Sequence, residues 1–311
     1  MGVRFYLGTH HAHWLKRVAV PLFVSHRRLL GQPKPPKTLP KALGPWALDS
    51  GGFTELTHPG QPLLAARWRE APESYVEAVH RYRDEIGNLQ WASPQDWMCE
   101  PIVLNGGPMA RREPAMGTGL TVAEHQHRTV ENFLRLRELG PDLPFVPVLQ
   151  GFELEEYVEC IDLYRSAGVD LQSLDLVAVG SVCKRQNSAE IEAIFTELAS
   201  HGLKLHGYGV KQGGLDRYEH LLASADSMAW SFKARGPEGE GPPLPGHDKV
   251  CEWHPRTGVK NCANCLLYAL LWRLSDVVLR VDFGELVARY FAEPFDLTDG
   301  SPLQRELEVA A

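Results

Sequence analysis

Two acidic residues end apolar runs in the first third of the sequence. Residues 46–53 read Trp-Ala-Leu-Asp-Ser-Gly-Gly-Phe, so Asp49 closes one run and is followed by Ser50 and two glycines that let a ligand approach the backbone closely. Residues 91–97 read Trp-Ala-Ser-Pro-Gln-Asp-Trp, so Asp96 closes the next run. Two carboxylates at the ends of neighbouring strands could converge on one ligand and serve in proton transfer.

Amide and glycine residues end two later apolar runs. Gln150 and Gly151 follow one run, and Gly180 and Ser181 follow another. A carboxylate accepts hydrogen bonds from N1–H and the exocyclic amine of a guanine-like base, while a glutamine amide or a backbone N–H donates to its carbonyl oxygen. The set therefore suits a planar heterocyclic ligand, although each residue alone is also typical of a polar group that caps a loop.

Two pairs of potential metal ligands lie close together late in the chain. Cys251 and His254 form a C-x2-H pair, and seven residues later Cys262 and Cys265 form a C-x2-C pair. This spacing lets two side chains from one tight turn reach the same ion, and three thiolates with one imidazole complete a closed tetrahedron for zinc. Because a closed shell has no open coordination position, we expect the Zn²⁺ to be structural.

The elements that must position these residues alternate between strands and helices. Short apolar runs predict eight strands, at residues 3–9, 18–25, 46–52, 89–95, 145–151, 175–182, 204–210 and 227–232. Helical periodicity predicts helices at residues 73–87, 121–140, 153–168, 188–202, 215–224 and 261–291, whereas the first two strands are followed by irregular segments. This alternation predicts an α/β fold, a (β/α)8 TIM-like barrel with insertions and a C-terminal zinc-binding subdomain.

Length and composition limit the class of protein. The 311 residues, of which 44% are hydrophobic, suffice for a substantial core. We expect a barrel core with a strand-end active site over residues 1–235, and a zinc-binding segment with C-terminal helices packed on the barrel over residues 236–311. No apolar run is long enough to cross a membrane and no export signal is evident, so we expect a cytoplasmic protein. The net charge of −7 argues against a histone-like polycation but leaves room for a local basic face that binds nucleic acid.

In the order of its motifs the sequence resembles the tRNA-guanine transglycosylase superfamily, and specifically its DNA-acting branch, the DpdA-type 7-deazaguanine DNA transglycosylases. The likeness rests on Asp49-Ser-Gly-Gly-Phe53, Asp96, Gln150-Gly151, Gly180, His206-Gly-Tyr-Gly209 and the late zinc ligands, in that order. Residues 94–101 and 224–231 resemble the DNA branch more than the tRNA enzymes. The resemblance implies a pentosyltransferase that exchanges guanine in DNA for a 7-deazaguanine base, such as 7-cyano-7-deazaguanine.

The resemblance also implies a covalent intermediate, in which one carboxylate attacks C1′ of the sugar and a second assists proton transfer. The tRNA enzymes carry two aspartates three positions apart on the last strand, the second being the nucleophile, whereas here Asp226 is followed three positions later by Ala229. Asp226 would lie at the amino-terminal end of the predicted strand, so the nucleophile stays open between Asp226 and Asp49. Both are expected to be catalytic.

The resemblance extends to the substrate contacts. The expected substrate-binding residues are Ser50, Asp96, Gln150, Gly151, Gly180 and Ser181. Candidates for phosphate contacts are Arg27, Arg28, Lys34, Lys37, Arg111, Arg112, Lys184 and Arg185. An extruded base could stack on Trp97 or Tyr208, and His10, His11 and His13 follow the first strand. The DNA branch can work beside an ATPase partner, and this sequence has no Gly-x4-Gly-Lys-Ser/Thr loop of its own.

Two alternatives stay open at the level of sequence. The first is the same base exchange carried out on tRNA. The second is a catalytically inactive barrel that binds nucleic acid, which the absence of an aspartate at Ala229 keeps open.

Overall fold

The fold is built around one sheet of eight short parallel strands. The computed structural model describes residues 3–31, 36–57, 68–109, 113–182, 185, 189–210, 212–236 and 261–291. The strands are β1 (Arg4–Thr9), β2 (Leu22–Ser25), β3 (Trp46–Asp49), β4 (Leu89–Ala92), β5 (Val148–Leu149), β6 (Val177–Val179), β7 (Leu205–Gly207) and β8 (Leu222–Ser227).

The strand order is β4-β3-β2-β1-β8-β7-β6-β5, so the first and last strands of the chain are neighbours. β4 and β5 are the two strands at the ends of this order. An isolated parallel bridge between Ala92 and Phe145 joins the end of β4 to the segment that leads into β5. There the Ala92 N–H donates to the Pro144 carbonyl (2.9 Å) and the Val146 N–H donates to the Ala92 carbonyl (3.2 Å). We call this junction the β4–β5 seam.

Aromatic side chains from distant strands meet on one side of the sheet. The ring centroid of Trp91, on β4, lies 4.6 Å from that of His206, on β7, and 5.8 Å from that of Tyr6, on β1. Strands so far apart in the strand order can share an interior only if the sheet curls round. The α/β fold is therefore confirmed, and the curled sheet is consistent with the predicted TIM-like barrel.

Helices follow most of the strands. They are α1 (His26–Leu29), α2 (Gly52–Leu56), α3 (Pro72–Ile86), α4 (Pro101–Leu104), α5 (Val122–Leu139), α6 (Leu154–Ser166), α7 (Ala189–Ser200), α8 (Gln212–Tyr218), α9 (Ala229–Arg235), α10 (Leu266–Trp272) and α11 (Phe283–Phe291). Single turns of 3-10 helix occur at Ala12–Lys16, Leu171–Ser173 and Glu219–Leu221, and a π-helical segment at Arg273–Leu279. None of the described helices combines the length and apolarity that crossing a membrane requires.

The helices predicted at residues 73–87, 121–140, 153–168 and 188–202 correspond to α3, α5, α6 and α7. The start of α5 shows why the boundary could be placed from sequence. The Thr121 hydroxyl accepts a hydrogen bond from the Glu124 N–H, and the Glu124 carboxylate accepts one from the Thr121 N–H, which satisfies two N–H groups that an isolated helix end leaves unpaired.

The last strand and its flanking helices differ from the prediction. Residues 215–224 were expected to be helical and 227–232 to be a strand, but α8 ends at Tyr218, β8 spans Leu222–Ser227 and α9 begins at Ala229. The strand carries small and polar residues instead of an apolar run. The apolar Trp230 and Ala234, four positions apart, lie on the buried face of α9, which gives helical rather than strand periodicity.

The C-terminal helix predicted over residues 261–291 is interrupted. It divides into α10, the π-helical segment and α11, with Arg280 in the left-handed conformation (φ 54°) between the last two. Leu267, Leu270 and Leu271 are buried, so core packing accounts for the leucine stripe. The ring of Trp272 lies 6.1 Å from that of Phe5 on β1, which packs α10 against the barrel.

The buried residues form an inner and an outer layer on the two faces of the sheet. Phe5 and Leu7 point to the outer layer between the sheet and the helices, whereas Tyr6 between them belongs to the inner cluster. The inner cluster consists of Tyr6, Phe23, Ala47, Trp91, Val146, Val148 and Ala178. Each large buried side chain contributes about 1.5–3 kcal/mol by leaving water. The inner cluster fills the barrel beneath the site described next.

Candidate active site

A cavity of about 530 Å³ opens at the carboxyl ends of the strands. Six of the residues expected at the site line it, namely Asp49, Ser50, Asp96, Gly180, Ser181 and Asp226. Gln150 lies behind this surface, where its side chain contacts both Asp96 and Ser181. Gly151 lies further back, against α6, where a Cβ would come 3.0 Å from the Tyr157 nitrogen. The structure thus brings residues from β3, β6, β8 and the loop after β4 to one hollow.

Asp49 is the last residue of β3, and the turn that follows it is built for close approach. Gly51 has a left-handed conformation (φ 81°), and its N–H donates to Asp49 Oδ1 (3.1 Å). A side chain at position 51 would lie 2.7 Å from the Arg27 side chain, so glycine is required there on two counts. Burial raises the pKa of Asp49 above its ordinary value, and the Asp226 carboxylate also raises it. Hydrogen bonds from the Gly51 N–H and the Ser25 hydroxyl lower this pKa, but the net shift is upward.

Asp96 is buried, and both of its oxygens accept hydrogen bonds from side chains. The Ser50 hydroxyl donates to Oδ1 (3.2 Å) and the Gln150 amide donates to Oδ2 (2.6 Å). Burial raises the pKa of Asp96 to about 7, with a second contribution from the Asp49 carboxylate. The two donors lower it, but they do not offset the cost of placing the charge away from water. This acid therefore changes its charge near neutral pH.

Ser181 fixes the orientation of Gln150. Its hydroxyl accepts from the Cys99 N–H (2.7 Å) and lies within donating distance of Gln150 Oε1 (2.6 Å) and Glu100 Oε2 (3.1 Å). With Oε1 held by Ser181, the NH2 group of Gln150 must face Asp96. Ser181 has a positive φ of 56°, an unfavourable conformation for a residue with a Cβ, and such strain is concentrated at ligand sites.

Gly180 leaves room for the Gln150 amide. A Cβ at position 180 would lie 2.3 Å from Gln150 Nε2 and 2.8 Å from Oε1. Its carbonyl accepts a hydrogen bond from the Tyr157 hydroxyl (2.8 Å), which anchors this stretch of backbone to α6. A glycine here is therefore what allows the amide to pass behind the cavity wall and reach Asp96.

Asp226 lies near the carboxyl end of β8, not at the amino-terminal end that the predicted strand implied. The correct strand begins five residues earlier than predicted, which puts Asp226 fifth of six residues and on the wall of the cavity. Its Oδ1 accepts a hydrogen bond from the Gly209 N–H (2.9 Å) and lies 3.4 Å from His206 Nε2. Within the described residues, Oδ2 accepts no hydrogen bond.

Three aspartates in different environments thus face one cavity on a curled parallel sheet. The sequence model of the DpdA family, described as DeoxyPurine in DNA protein A, matches residues 1–294. The chain belongs to the DpdA family. This family consists of transglycosylase-type enzymes that act on DNA, in agreement with the resemblance noted in the sequence. The comparison with curated proteins found no match.

The aromatic wall of the DpdA cavity differs in part from the prediction. Tyr208 lines the cavity and stacks on Phe23, with ring centroids 5.9 Å apart and planes inclined by 26°. Trp97, the other residue expected to stack on a base, is only 2% exposed and packs with Leu56 and Val103 in a separate cluster. Tyr208 is therefore available to an extruded base, and Trp97 is not.

Two of the predicted phosphate contacts, Arg27 and Arg28, line the cavity. Arg27 also pairs with the buried Glu55 (2.9 Å), which a second arginine, Arg69, contacts at 2.8 Å. Arg185 instead donates to the Phe152 carbonyl and pairs with Glu190. Lys37 is exposed, whereas Lys34, Arg111, Arg112 and Lys184 lie outside the described residues.

The histidines after β1 lie at different depths. His10 lines the cavity, whereas His11 stacks on Trp14 with ring centroids 4.9 Å apart, and its Nε2 lies 3.3 Å from Asn264 Oδ1. The ring of His13 packs against that of His11 at 5.5 Å. The first of the three is therefore the one in a position to contact a ligand.

Half of the predicted zinc site lies in the described part of the chain. Cys262 and Cys265 are buried on one turn, closed by a hydrogen bond from the Cys265 N–H to the Cys262 carbonyl (3.0 Å), immediately before α10. Two buried thiols on one turn fit the C-x2-C half of a zinc knuckle. Cys251 and His254 lie outside the described residues, among which no cluster of three potential ligands occurs, so the zinc site stays a prediction.

Sequence reasoning missed two side chains that touch the acids, Ser25 and His206. Ser25 is paired with Asp49 in the register of β2 and β3, so its proximity could have been found once the strand pairing was known. His206 contacts Asp226 across β7 and β8, and the sequence indicates it only as the first residue of the motif at residues 206–209. No signal local to the sequence indicated that its ring points into the barrel.

Proposed function

We propose that this DpdA protein exchanges guanine in DNA for a 7-deazaguanine, such as 7-cyano-7-deazaguanine, without cutting the strand. The observation that carries the proposal is the convergence of Asp49, Asp96 and Asp226 on one cavity of about 530 Å³. That volume is in the range of pockets that bind small molecules, roughly 300–1,000 Å³. Base exchange needs a nucleophile, a proton donor and an acid that recognises the base, and the cavity offers one aspartate for each task.

Asp226 is the proposed nucleophile. The Gly209 N–H donates to Oδ1, and Oδ2 is left to attack C1′ of the deoxyribose. As the bond between Oδ2 and C1′ forms, the bond between C1′ and N9 breaks, and its electron pair leaves with guanine. Splitting the exchange into two displacements lets the incoming base approach a sugar that stays attached to the protein.

Asp49 is the proposed proton donor and acceptor. Burial raises its pKa, which favours the protonated form that can donate to the departing guanine. In the second displacement the Asp49 carboxylate takes the N9 proton of the deazaguanine. The nitrogen then forms a bond to C1′, and the electron pair of the breaking C1′–O bond returns to Asp226.

Asp96 is proposed to recognise the base. A carboxylate with two oxygens held by Ser50 and Gln150 presents a fixed edge to N1–H and the exocyclic amine of guanine or a 7-deazaguanine. Both bases share this edge, whereas position 7, where they differ, is not contacted by Asp96. Tyr208, stacked on Phe23, offers an aromatic face to the extruded nucleotide.

The DNA substrate is supported by membership of the DpdA family, which favours DNA over the tRNA alternative. The argument for an inactive barrel rested on the missing aspartate at Ala229. Asp226, three residues before Ala229, lines the cavity, which supports an active enzyme over the inactive barrel.

The proposal includes a structural Zn²⁺ bound by Cys251, His254, Cys262 and Cys265. When bound, the ion would join the segment around residues 251–265 to the start of α10 and supply no chemistry to the cavity. An ATPase partner that opens the duplex and a cytoplasmic location remain expectations from the sequence.

The test supplies duplex DNA and radiolabelled guanine and measures label in acid-insoluble DNA, together with trapping of a covalent adduct between protein and oligonucleotide. We expect label transfer by the wild type, no adduct with Asp226→Asn, and a rate loss of roughly 10²–10⁴-fold with Asp49→Asn. The matched control is Asp162→Asn on the exposed surface of α6, which should behave as the wild type.

Other outcomes of this test would change the proposal. An adduct that persists in Asp226→Asn and disappears in Asp49→Asn would make Asp49 the nucleophile. Label transfer to tRNA but not to DNA would contradict the DNA substrate, and no transfer to either would contradict base exchange.

A further inference from the structure

A fully buried histidine lies directly beneath the proposed nucleophile. His206 is on β7, and its side chain has no exposure to solvent. Its Nδ1 lies 2.8 Å from the Ser224 hydroxyl on β8. Its Nε2 lies 3.4 Å from Asp226 Oδ1, outside hydrogen-bond geometry, and has no hydrogen-bond partner among the residues that the structure describes. An unpaired buried ring nitrogen is costly, so its direction toward a carboxylate needs an explanation.

Aromatic rings enclose the imidazole. The ring centroids of Trp91, Tyr208, Phe23 and Tyr6 lie 4.6, 5.0, 6.0 and 6.1 Å from that of His206. These rings limit the rotation of the imidazole and occupy the space that water would need. The orientation of Nε2 toward Asp226 is therefore imposed by the inner core of the barrel.

The contact with Ser224 is compatible with the tautomer that the proposal needs, because a hydroxyl can donate to Nδ1 as well as accept from it. When the serine hydroxyl donates to Nδ1, the neutral imidazole carries its proton on Nε2, on the side of Asp226. Ser224 and Asp226 are both on β8, two residues apart, so their side chains point to the same face of the strand. The strand thus holds the residue that orients the ring and the residue that the ring contacts.

We propose that His206 is a positioning residue for Asp226, an inference that rests on the proposed base exchange. When DNA is bound, Nε2–H donates to Oδ1 and closes the 3.4 Å gap, as hydrogen bonds in a site often tighten in the substrate complex. With the Gly209 N–H and the imidazole both on Oδ1, the carboxylate cannot rotate, and Oδ2 faces C1′.

The same hydrogen bond serves both displacements. In the first it holds Oδ1, which leaves Oδ2 as the attacking oxygen, and the negative charge of the carboxylate is consumed as the bond between Oδ2 and C1′ forms. In the second the C1′–O bond breaks as the deazaguanine nitrogen forms its bond to C1′, and the electron pair returns to the carboxylate, where Nε2–H stabilises the returning charge. The proton stays on the imidazole throughout, so no proton is gained or lost in this step.

The experiment compares His206→Gln with His206→Asn in the full chain. The Gln amide reaches the place of Nε2, whereas the shorter Asn amide reaches only the place of Nδ1, so the two variants are matched in polarity and differ in the donor under test. The measurement is the single-turnover rate of adduct formation on duplex DNA, with the KM for DNA and the Tm recorded for each variant.

We expect the Asn variant to lose about 10²-fold in the rate of adduct formation, the loss that a misplacement of about 1 Å causes, with an unchanged KM. The Gln variant should keep most of the rate at a similar Tm. Equal rates in the two variants, or a loss seen only in KM, would overturn the inference.

A third variant keeps the test decisive if neither substitution folds. Ser224→Ala removes the hydroxyl that the proposal makes the donor to Nδ1 and leaves the ring in place, so the adduct rate should fall with KM unchanged. An unaltered rate would overturn the inference. A wild-type protein that forms no adduct would instead refute the base exchange itself. Failure of the inference alone is thus distinguishable from failure of the proposed function.

Discussion

The three aspartates of the cavity have the same side chain and differ in their environment. Asp49 and Asp96 are held in surroundings that raise their pKa values, mainly by burial. Asp226 accepts a hydrogen bond from the Gly209 N–H and lies beside the buried His206. The same chemical group can therefore serve as proton donor, base reader and nucleophile within one hollow.

Recognition of guanine should depend on pH through Asp96. Its pKa of about 7 means that the carboxyl group becomes neutral as the pH falls below that value and can no longer accept from both donors of the guanine edge. We expect the KM for guanine to rise as the pH is lowered from about 8 to about 6, measured in the label-transfer assay. A KM that is flat across this range would contradict the role of Asp96.

Asp96 should also make the stability of the free protein depend on pH. Because its pKa in the folded protein lies above the ordinary value of 3.8, the stabilisation from the protonated form is complete below about pH 4 and is lost as the pH rises to about 7. Asp96→Asn stays neutral, so over this range it should gain stability relative to the wild type, on the order of a few kcal/mol. Thermal unfolding of both proteins at several pH values measures this, and a constant difference in Tm would refute it.

Gly180→Ala should weaken base recognition by displacing Gln150. The added methyl group would lie 2.3 Å from Gln150 Nε2, and the amide can relieve this contact only by leaving Asp96 or Ser181. We expect a higher KM for guanine, by roughly 10-fold or more if one buried hydrogen bond to a charged group is lost. The control is the same change in a Gln150→Ala background, where it should have little further effect, and additive effects would contradict the mechanism.

At the scale of elements, the sequence predicted the helices with a regular apolar periodicity but not the strand that carries polar residues into the barrel. The periodicity of α3, α5, α6 and α7 is strong because each buries one apolar face. β8 lacked an apolar run because Ser224 and Asp226 face the interior, where function replaces packing. A strand that carries polar residues into a site is therefore the one that a hydrophobic pattern fails to detect.

Site residues that follow the ends of strands could be predicted from the sequence. Site residues that reach the acids only through the pairing register of neighbouring strands could not. Asp49, Asp96 and Ser181 follow apolar runs, and the carboxyl ends of parallel strands meet at one edge. Ser25 and His206 reach the acids only through pairing between strands, which no local pattern shows. Trp97 was misjudged because an aromatic residue beside an acid can equally pack into a side cluster.

The start of α10 should depend on zinc. If Cys262 and Cys265 bind a structural ion, the purified chain should contain about one Zn²⁺, and Cys262→Ser should lose the metal and lower the Tm. Metal content is measured by atomic emission and Tm by calorimetry. Cys160→Ala, at a buried position on α6 away from this turn, is the matched control and should retain the ion. A metal-free wild type with an unchanged Tm in the Cys262 variant would contradict the assignment.

At the scale of the whole molecule, the β4–β5 seam is where the sheet has the least backbone pairing. Among the described residues one bridge, at Ala92 and Phe145, joins these edges, whereas the other neighbouring strands pair at two to four positions. Asp96 follows β4 and Gln150 follows β5, so the hydrogen bond between them (2.6 Å) crosses the seam. Movement at the seam would therefore change the geometry of base recognition.

Hydrogen exchange should show this coupling. The amides of Ala92 and Val146 donate across the seam and should exchange faster than the amide of Leu7, which donates to Pro21 in the continuous part of the sheet. Addition of guanine should slow the exchange of the first two amides and leave that of Leu7 unchanged, as measured by NMR. Equal rates at all three, or no effect of guanine, would contradict the coupling.

Asp96 and Gln150 place part of the base-binding site at the β4–β5 seam. A purine that contacts both residues would link the two edges of the barrel sheet, so the barrel would be more rigid with a base bound than without one. In each round of exchange the departing base would then have to lose its contacts with both edges before the next base could enter.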